Sequence, residues 1–176
     1  MTAHPHATDI AELVADHHAA LFGYAFRLSG SEVDAEDLVQ QVFLIAYRKL
    51  DQLRDPIAAR SWLFTILRRC FSKSLQRRKP WHTQTVPLDI ENLPEPITPQ
   101  LAIDQEELQQ ALDELPPKHR LVLVMFYFED CSYREIAEQL DIPLGTVMSR
   151  LARAKAQLKT QLSNQPAVQS SGNGKN

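Results

Sequence analysis

Apolar residues recur at helical spacing along most of the chain, and no alternating apolar and polar run of strand length interrupts them. Residues 34–50 give the clearest case, with apolar side chains three and four positions apart, the pattern of a buried helix face. The apolar positions of this segment are Ala35, Leu38, Val39, Val42, Phe43, Ala46, Tyr47 and Leu50. Acidic residues open the segment, and Arg48 and Lys49 close it, in the order that a helix dipole favours. The pattern therefore predicts an all-α protein.

The same spacing, and the residues that interrupt it, divide the chain into seven helical segments. Their predicted bounds are 9–28, 34–50, 57–78, 101–115, 120–128, 132–140 and 144–162. Residues 80–100 contain five prolines and show no sustained period, which is typical of a semi-stiff linker. We expect two small helical domains, a three-helix bundle over 9–79 and a second domain over 101–162, joined by this flexible acidic linker. The ends, 1–8 and 163–176, are expected to be disordered.

The overall composition is ordinary, but the charge is arranged in blocks. The 176 residues are 44% hydrophobic and carry a net charge of −3, which by itself indicates no polyanion as partner. Residues 60–79 hold seven bases and no acid, residues 80–117 hold eight acids and no base, and residues 143–176 hold five bases and no acid. Two separate basic segments in an acidic protein predict two local contacts with nucleic acid.

Several classes of protein are excluded by what the sequence lacks. Two distant cysteines argue against a disulfide scaffold, and five glycines in no phosphate-binding pattern argue against a nucleotide cofactor. The first nine residues have no signal-peptide core. The longest apolar run, residues 121–128, is too short to span a membrane and is expected to form the core of the second domain. We therefore expect a cytoplasmic protein. His4 and His6 have no cysteine or carboxylate cluster beside them, so no metal site is expected.

The strongest functional pattern lies in residues 132–158. Ser132 and Glu135 match a capping box at the start of a short helix, and residues 141–143 provide a tight turn before a second helix. Together they predict a helix-turn-helix. The exposed arc of the second helix carries side chains that bond to phosphates and base edges, namely Thr146, Ser149, Arg150, Arg153 and Gln157. Gly145 beside this arc leaves room for a DNA backbone. A solvated amphipathic helix is the alternative, which the agreement of cap, turn and arc disfavours.

A second basic arc is predicted on the helix that covers residues 60–79. Its outer side carries Ser61, Thr65, Arg68, Arg69, Ser72, Lys73 and Gln76. Basic side chains mixed with short hydrogen-bonding side chains suit a DNA strand whose nucleobases are unstacked. A solvated basic helix end explains this segment equally well when it is taken alone. Trp62, at the edge of the arc, is of a type found more often in a core than as a stacking platform.

Five motifs follow one another in a recognisable order. They are DAEDLVQQVF at 34–43, Trp62-Leu63 with the basic stretch after it, Leu115-Pro116 through Arg120, SYREIA at 132–137 and GTVMSRL at 145–151. In this order they resemble the extracytoplasmic-function (ECF) group of bacterial RNA polymerase sigma factors. The resemblance covers about residues 10–162, and its last two motifs are the most specific.

The resemblance implies that the first domain is a sigma region 2 and the second a sigma region 4 with a helix-turn-helix. The implied core-polymerase-binding residues are Asp34, Asp37, Gln40 and Gln41. The implied −10 promoter contacts are Arg54, Arg60, Trp62, Arg68, Arg69 and Lys73. The implied −35 contacts are Gly145, Thr146, Met148, Ser149, Arg150 and Arg153. The implied partners are bacterial RNA polymerase core enzyme, promoter DNA and an anti-sigma factor. A membrane-bound anti-sigma factor would hold the protein at the inner membrane.

The predicted function is that of a sigma factor, which directs core polymerase to specific promoters by sequence-specific DNA binding and has no enzymatic activity. A stand-alone helix-turn-helix regulator, acting as a dimer on palindromic sites, is the first alternative. A nucleic-acid enzyme is the second, and it lacks any constellation of metal ligands or nucleophile. The sequence departs from the group's common residues at Gln41 (often Glu), Arg69 (usually Asn), Lys73 (commonly Asp) and Met148 (frequently Arg or Lys).

Overall fold

The computed structural model describes residues 9–77 and 104–164. Within these ranges the chain forms seven α-helices and two short 3-10 turns, with no strand, so the all-α prediction is confirmed. The helices are α1 (Ile10–Ser29), α2 (Glu32–Arg48), α3 (Ala59–Arg77), α4 (Gln105–Asp113), α5 (Pro117–Phe128), α6 (Tyr133–Leu140) and α7 (Leu144–Asn164). The predicted disordered start at 1–8, the linker at 80–100 and all but two residues of the tail at 163–176 lie outside the described residues.

Local capping decides where the first two helices begin and end. The Asp9 carboxylate accepts a hydrogen bond from the Ala11 N–H at 3.2 Å and so caps α1. Gly30 ends α1 in the left-handed conformation, with a φ of 72° that glycine adopts without steric cost. Ser31 then caps α2 by accepting from the Asp34 N–H at 3.3 Å. The local sequence, through Gly30 and Ser31, therefore determines the short turn between α1 and α2.

The third predicted helix, residues 57–78, is divided in the structure. The Asp55 carboxylate accepts from the Ile57 N–H at 2.9 Å and caps a 3-10 turn over Pro56–Ala58, after which α3 begins. Proline at the first position of this turn lacks an N–H and restricts the residue before it. Ile57, in this turn, is 91% exposed, whereas Ala59 at the start of α3 is buried.

Helices α1, α2 and α3 form the N-terminal domain, a three-helix bundle. Its core includes Leu21, Leu28, Val39, Val42, Leu63 and Leu67, each at most 1% exposed. Burial of apolar surface of this kind is the main stabilising term for a helical bundle. The prediction that Tyr47 belongs to the buried face is wrong, because Ala46 takes the buried position of that turn and Tyr47 is 66% exposed.

Helices α4 to α7 form the C-terminal domain, with α5 at its centre. Residues 121–125 are all buried, as the apolar run predicts, and α6 and α7 form the predicted helix-turn-helix against them. The extension of this core to Phe128 is wrong, because α5 ends there and the ring is 38% exposed. The Arg27 guanidinium lies over that ring, 4.5 Å from its centroid. Because Arg27 lies in the N-terminal domain and Phe128 in the C-terminal domain, this contact joins the two domains.

The two domains pack against each other, an arrangement that the sequence pattern does not predict. The carboxyl end of α1 lies against α4 and α5. Arg120 donates to the Leu28 carbonyl at 2.9 Å and to the Asp113 carboxylate at 3.0 Å, and Gln109 donates to the Phe26 carbonyl at 3.3 Å. The last carbonyls of a helix have no partner within it. Side chains of the C-terminal domain therefore complete hydrogen bonding at the end of α1.

Candidate nucleic-acid interface

A fixed turn sets the position of α7 on the C-terminal domain. The Ser132 hydroxyl accepts from the Glu135 N–H at 3.3 Å and the Glu135 carboxylate accepts from the Ser132 N–H at 2.7 Å, so the predicted capping box is confirmed. Hydrogen bonding of the Glu135 carboxylate with the Ser132 side chain and with the Ser132 N–H lowers the pKa of Glu135. Asp141 ends α6 in the left-handed conformation, with a φ of 52°, and the Pro143 carbonyl accepts the Thr146 N–H at 2.9 Å. Side chains and backbone thus fix how α7 leaves the turn.

The inner face of α7 fixes its rotation about its own axis. Its buried residues are Val147, Leu151, Ala154 and Leu158, each at most 5% exposed. Of the six predicted −35 residues, Gly145 and Met148 are exposed, and the partly exposed ones are Thr146, Ser149, Arg150 and Arg153. A Cβ on Gly145 would meet no atom within 4 Å beyond its chain neighbours and the backbone of its own helix, so the surface is open there. The predicted residues therefore share a solvent-accessible side of the helix.

His119, on the first turn of α5, is a residue that the sequence pattern missed. Burial lowers the pKa of its imidazole, and the nearby positive charges of Arg150 and Arg153 lower it further. Its Nδ1 atom is buried and has no hydrogen-bond partner. Its surroundings therefore favour the neutral form of the imidazole beside the two arginines. No sequence motif links it to α7; only the position of α5, opened by Pro116 and Pro117, brings it there.

The predicted −10 contacts lie along the loop before α3 and on α3 itself. Four of them are exposed cations, Arg54, Arg60, Arg69 and Lys73, and Trp62 is half-buried. The Arg60 guanidinium lies 5.4 Å from the centroid of the Phe64 ring, which holds it beside the bundle. Because they are cationic and accessible, these side chains are able to bind phosphate groups.

Arg68 differs from the other predicted −10 residues. The helical wheel predicts it on the exposed arc, and this prediction of exposure is wrong, since only 4% of the residue is accessible. Its guanidinium forms an ion pair with Glu129 of the C-terminal domain and also donates to the Thr65 hydroxyl at 2.9 Å. The wheel failed because it represents one helix alone, whereas Arg68 also contacts Glu129 of the C-terminal domain.

The outer face of α2 carries the residues implied to bind core polymerase. Asp37, Gln40 and Gln41 are exposed, and Asp34 is partly so. The structure adds apolar residues to this face, since Val33, Leu44 and Tyr47 are 73%, 58% and 66% exposed. Leu44 and Tyr47 also line a groove between α1 and α2 together with Ile10, Val14, His18, Glu36, Val39, Gln40 and Phe43. The face combines polar groups with exposed apolar area, a combination typical of protein-binding surfaces.

Two negative observations apply to residues 9–77 and 104–164 alone. In these ranges no group of three or more histidine, cysteine, aspartate or glutamate side chains is arranged to hold a metal ion. In the same ranges no helix has the length and apolar character needed to cross a bilayer. His4 and His6 lie outside the described residues.

Comparison with protein families assigns both domains. The sigma-70 region 2 family matches residues 13–80, and the sigma-70 region 4 family matches residues 105–158. The chain is 36% identical over 156 residues to the ECF RNA polymerase sigma factor SigE of Mycolicibacterium smegmatis, covering 86% of this chain and 60% of the length of that protein. It is 34% identical over 151 residues to the ECF sigma factor SigL of Mycobacterium tuberculosis, covering 84% of this chain and 85% of SigL.

Solved structures share the same fold. The sigma factor RpoE of Bartonella quintana, in complex with the anti-sigma factor NepR, has a TM-score of 0.61 and 25% identity, covering 90% of this chain and 99% of that one. CnrH, in complex with the cytosolic domain of CnrY, has a TM-score of 0.56 and 25% identity, covering 89% of each chain. With both regions matched in order and relatives identical at a third of their positions, the resemblance drawn from the sequence motifs is confirmed: the chain belongs to the ECF family of RNA polymerase sigma factors.

Proposed function

We propose that the protein is a promoter-specificity subunit that binds core RNA polymerase and directs it to particular promoters. The observation that carries this proposal is the presence of two solvent-accessible basic surfaces, one on each domain of an ECF sigma fold. The loop before α3 and the outer side of α3 bind the unpaired −10 strand through Arg54, Arg60, Trp62, Arg69 and Lys73. Binding to unstacked bases supplies part of the energy for opening the duplex.

The −35 element is bound by the outer side of α7 in the major groove. Arg150 and Arg153 make phosphate or base contacts, while Thr146, Ser149 and Met148 contribute to sequence preference. Linking both DNA-binding surfaces in one chain raises the local concentration of the second contact once the first has formed. The protein supplies binding energy and position, and the polymerase supplies the chemistry.

Core polymerase docks on the outer face of α2. Asp34, Asp37, Gln40 and Gln41 provide polar contacts, and the exposed apolar pair Leu44 and Tyr47 provides the desolvated centre that tight interfaces use. We also propose regulation by an anti-sigma factor, because RpoE and CnrH, which share this fold, are seen bound to NepR and CnrY. The protein would act in the cytoplasm, where polymerase and promoter DNA are found.

The test is run-off transcription by purified bacterial core polymerase on a pool of genomic fragments, with and without this protein. The expected result is a set of discrete new transcripts, which also identifies the promoter sequence. Absence of transcripts together with absence of core binding would overturn the proposal. Specific duplex binding without polymerase would then favour the stand-alone helix-turn-helix regulator.

Substitutions on α7 sharpen this test. Arg153→Ala and Arg150→Ala are each expected to reduce transcription roughly 10- to 100-fold, the effect of losing a contact worth about 1–3 kcal/mol. The loss should disappear on templates that lack the upstream element. Lys159→Ala is the matched control, because Lys159 is an exposed base on the same helix and lies beyond the predicted contact residues. Equal losses in all three variants would argue against direct recognition by this part of α7.

A further inference from the structure

Glu129 immediately follows α5 in the C-terminal domain, and its carboxylate bonds to the N-terminal domain through both oxygens. The Tyr24 hydroxyl donates to Oε1, and the Arg68 guanidinium donates to Oε2. Arg68 is 4% exposed, so this ion pair is almost wholly removed from water. A carboxylate placed in this way must be held by good geometry, because taking two charges out of water is costly.

Neighbouring residues orient both donors toward Glu129. Arg68 is held by its second bond, to the Thr65 hydroxyl at 2.9 Å. The Tyr24 ring packs edge-on against Phe64, with centroids 5.0 Å apart. Burial raises the pKa of Tyr24 well above its usual value, and the negative charge of Glu129 raises it further, so the hydroxyl keeps its proton and donates. These contacts preorganise an anion-binding site on the N-terminal domain.

The same site belongs to the surface that is proposed to bind DNA. Arg68 lies on α3 next to Arg69 and five residues before Lys73, both of which are exposed. A guanidinium forms charge-assisted hydrogen bonds to the anionic oxygens of carboxylates and of phosphates alike. A nucleic-acid phosphate therefore offers Arg68 the same kind of acceptor as the Glu129 carboxylate, and both cannot occupy the same N–H group at once.

The packed arrangement is also too small to reach both promoter elements. Elements named −35 and −10 lie about 25 base pairs apart, or roughly 85 Å at about 3.4 Å per pair. A packed body of about 150 residues has a radius of gyration of about 15 Å and is therefore only about 40 Å across. The two domains must separate before each can contact its own element, and separation removes Glu129 from Arg68.

We propose that Glu129 takes, on Arg68, the place of a promoter phosphate, so that domain packing and −10 strand binding exclude each other. This inference rests on the proposed function of the α3 surface. The packed chain is then a closed form in which one of the six residues implied to contact the −10 element is held by the chain itself. The other interdomain contacts, from Arg120 to the Leu28 carbonyl and from Arg27 to the Phe128 ring, support the closed form without touching the DNA-binding surface.

The test removes the charge of Glu129 and keeps its shape. The full-length Glu129→Gln variant is compared with the unsubstituted protein for binding to a fluorescein-labelled, random-sequence single strand of about 12 nucleotides, a length within the usual site sizes. We expect roughly tenfold tighter binding, because a larger fraction of the molecules is then competent to bind. Small-angle X-ray scattering should show a larger radius of gyration for the variant.

Asp130→Asn is the matched control. It removes the same charge from the next residue, which is exposed and has a φ of 53° that asparagine tolerates. Unchanged binding and scattering are expected for this variant. If Glu129→Gln and Asp130→Asn behave alike in both measurements, the proposal is overturned. A second variant, Tyr24→Phe, removes one hydrogen bond to Glu129 and keeps the ring against Phe64, so it should shift both measurements in the same direction by a smaller amount.

A double-mutant cycle tests whether Glu129 acts through Arg68. In an Arg68→Gln background, the substitution Glu129→Gln should increase the affinity for the single strand less than twofold. In the otherwise unsubstituted protein the same substitution should increase it roughly tenfold. A full gain in that background would show that Glu129 merely repels DNA at a distance, and would overturn the proposal. The outcome is separate from that of the transcription test, because scattering and single-strand binding need no polymerase.

Discussion

At the scale of single residues, carboxylates hold several of the groups on which the two binding surfaces depend. Glu135 closes the capping box that starts α6, Asp113 holds Arg120 against the end of α1, and Glu129 holds Arg68. Each carboxylate accepts hydrogen bonds from donors nearby in the fold. For Asp113 and Glu129 the donor is a buried arginine. Charge-assisted hydrogen bonds of this kind are stronger than neutral ones.

The capping box gives a stability prediction at this scale. Ser132→Ala removes the oxygen that accepts from the Glu135 N–H and is expected to lower the free energy of unfolding by about 1 kcal/mol. Urea denaturation followed by circular dichroism measures this change. Ser163→Ala is a suitable control, because Ser163 is exposed near the end of α7 and caps no helix start. Equal free energies of unfolding for all three proteins would contradict the prediction.

The same pair predicts how stability depends on pH. The hydrogen bonds from Ser132 lower the pKa of Glu135 in the folded state. A lowered carboxyl pKa contributes stability above the ordinary glutamate value and loses it as the pH falls through the folded-state value. The stability difference between the unsubstituted protein and Ser132→Ala should therefore shrink as the pH is lowered through this range. A difference that stays constant in denaturation series down to acidic pH would show that Glu135 takes no part.

At the scale of elements, α2 performs two tasks with two faces. Its inner face, with Leu38, Val39 and Val42, completes the core of the N-terminal domain. Its outer face leaves Leu44 and Tyr47 in solvent beside polar groups. Exposed apolar side chains grouped on one surface mark contact sites in soluble proteins. A change on the outer face should therefore affect binding to polymerase and leave the bundle intact.

Leu44→Asp tests this division of labour. We expect its affinity for core polymerase to fall roughly tenfold or more, as at an interface hot spot, while the free energy of unfolding changes by no more than about 0.5 kcal/mol. Fluorescence anisotropy of labelled protein titrated with core polymerase measures the affinity. Ile57→Asp, an equivalent change at a 91% exposed position off α2, should bind core normally. Equal affinities for the two variants would place the docking surface elsewhere.

Much of this level of structure follows from the sequence because its causes are local. Apolar spacing predicts the seven helices, and residues such as Ser132 and Glu135 predict the capping box that begins the helix-turn-helix. Tyr47 was misplaced because Ala46 takes the buried position of its turn, and Phe128 was misplaced because α5 ends there. The ion-pair partner of Arg68 is 61 positions away, and no spacing rule reaches that far. His119 was missed for the same reason.

At the scale of the whole molecule, α1 serves both domains. It lies within the N-terminal bundle, and its carboxyl end packs on α4 and α5. Gly30 is central to this packing, because a Cβ there would collide with the Asp113 carboxylate and its φ of 72° disfavours any other residue. The close approach of the two domains thus depends on a missing side chain.

Gly30→Ala is expected to weaken the domain packing. The strained backbone and the collision together should cost about 1–3 kcal/mol, seen as a lower free energy of unfolding, and should increase the radius of gyration. Gly145→Ala provides the control, because the space around that residue is open; there we expect unchanged dimensions and a stability equal or higher by about 0.5–1 kcal/mol. An unaltered scattering profile for Gly30→Ala would show that the domains accommodate the extra methyl group.

The wide sequence separation of the interdomain contacts has a consequence for a chain during its synthesis. Arg68 is made 61 residues before Glu129, and Tyr24 is made 105 residues before it. At about 5–20 residues per second, the ribosome needs roughly 3 to 12 seconds to pass from Arg68 to Glu129. During that interval the nascent N-terminal domain exists without the carboxylate that later occupies Arg68. Each newborn molecule therefore passes through the open form before it is able to close.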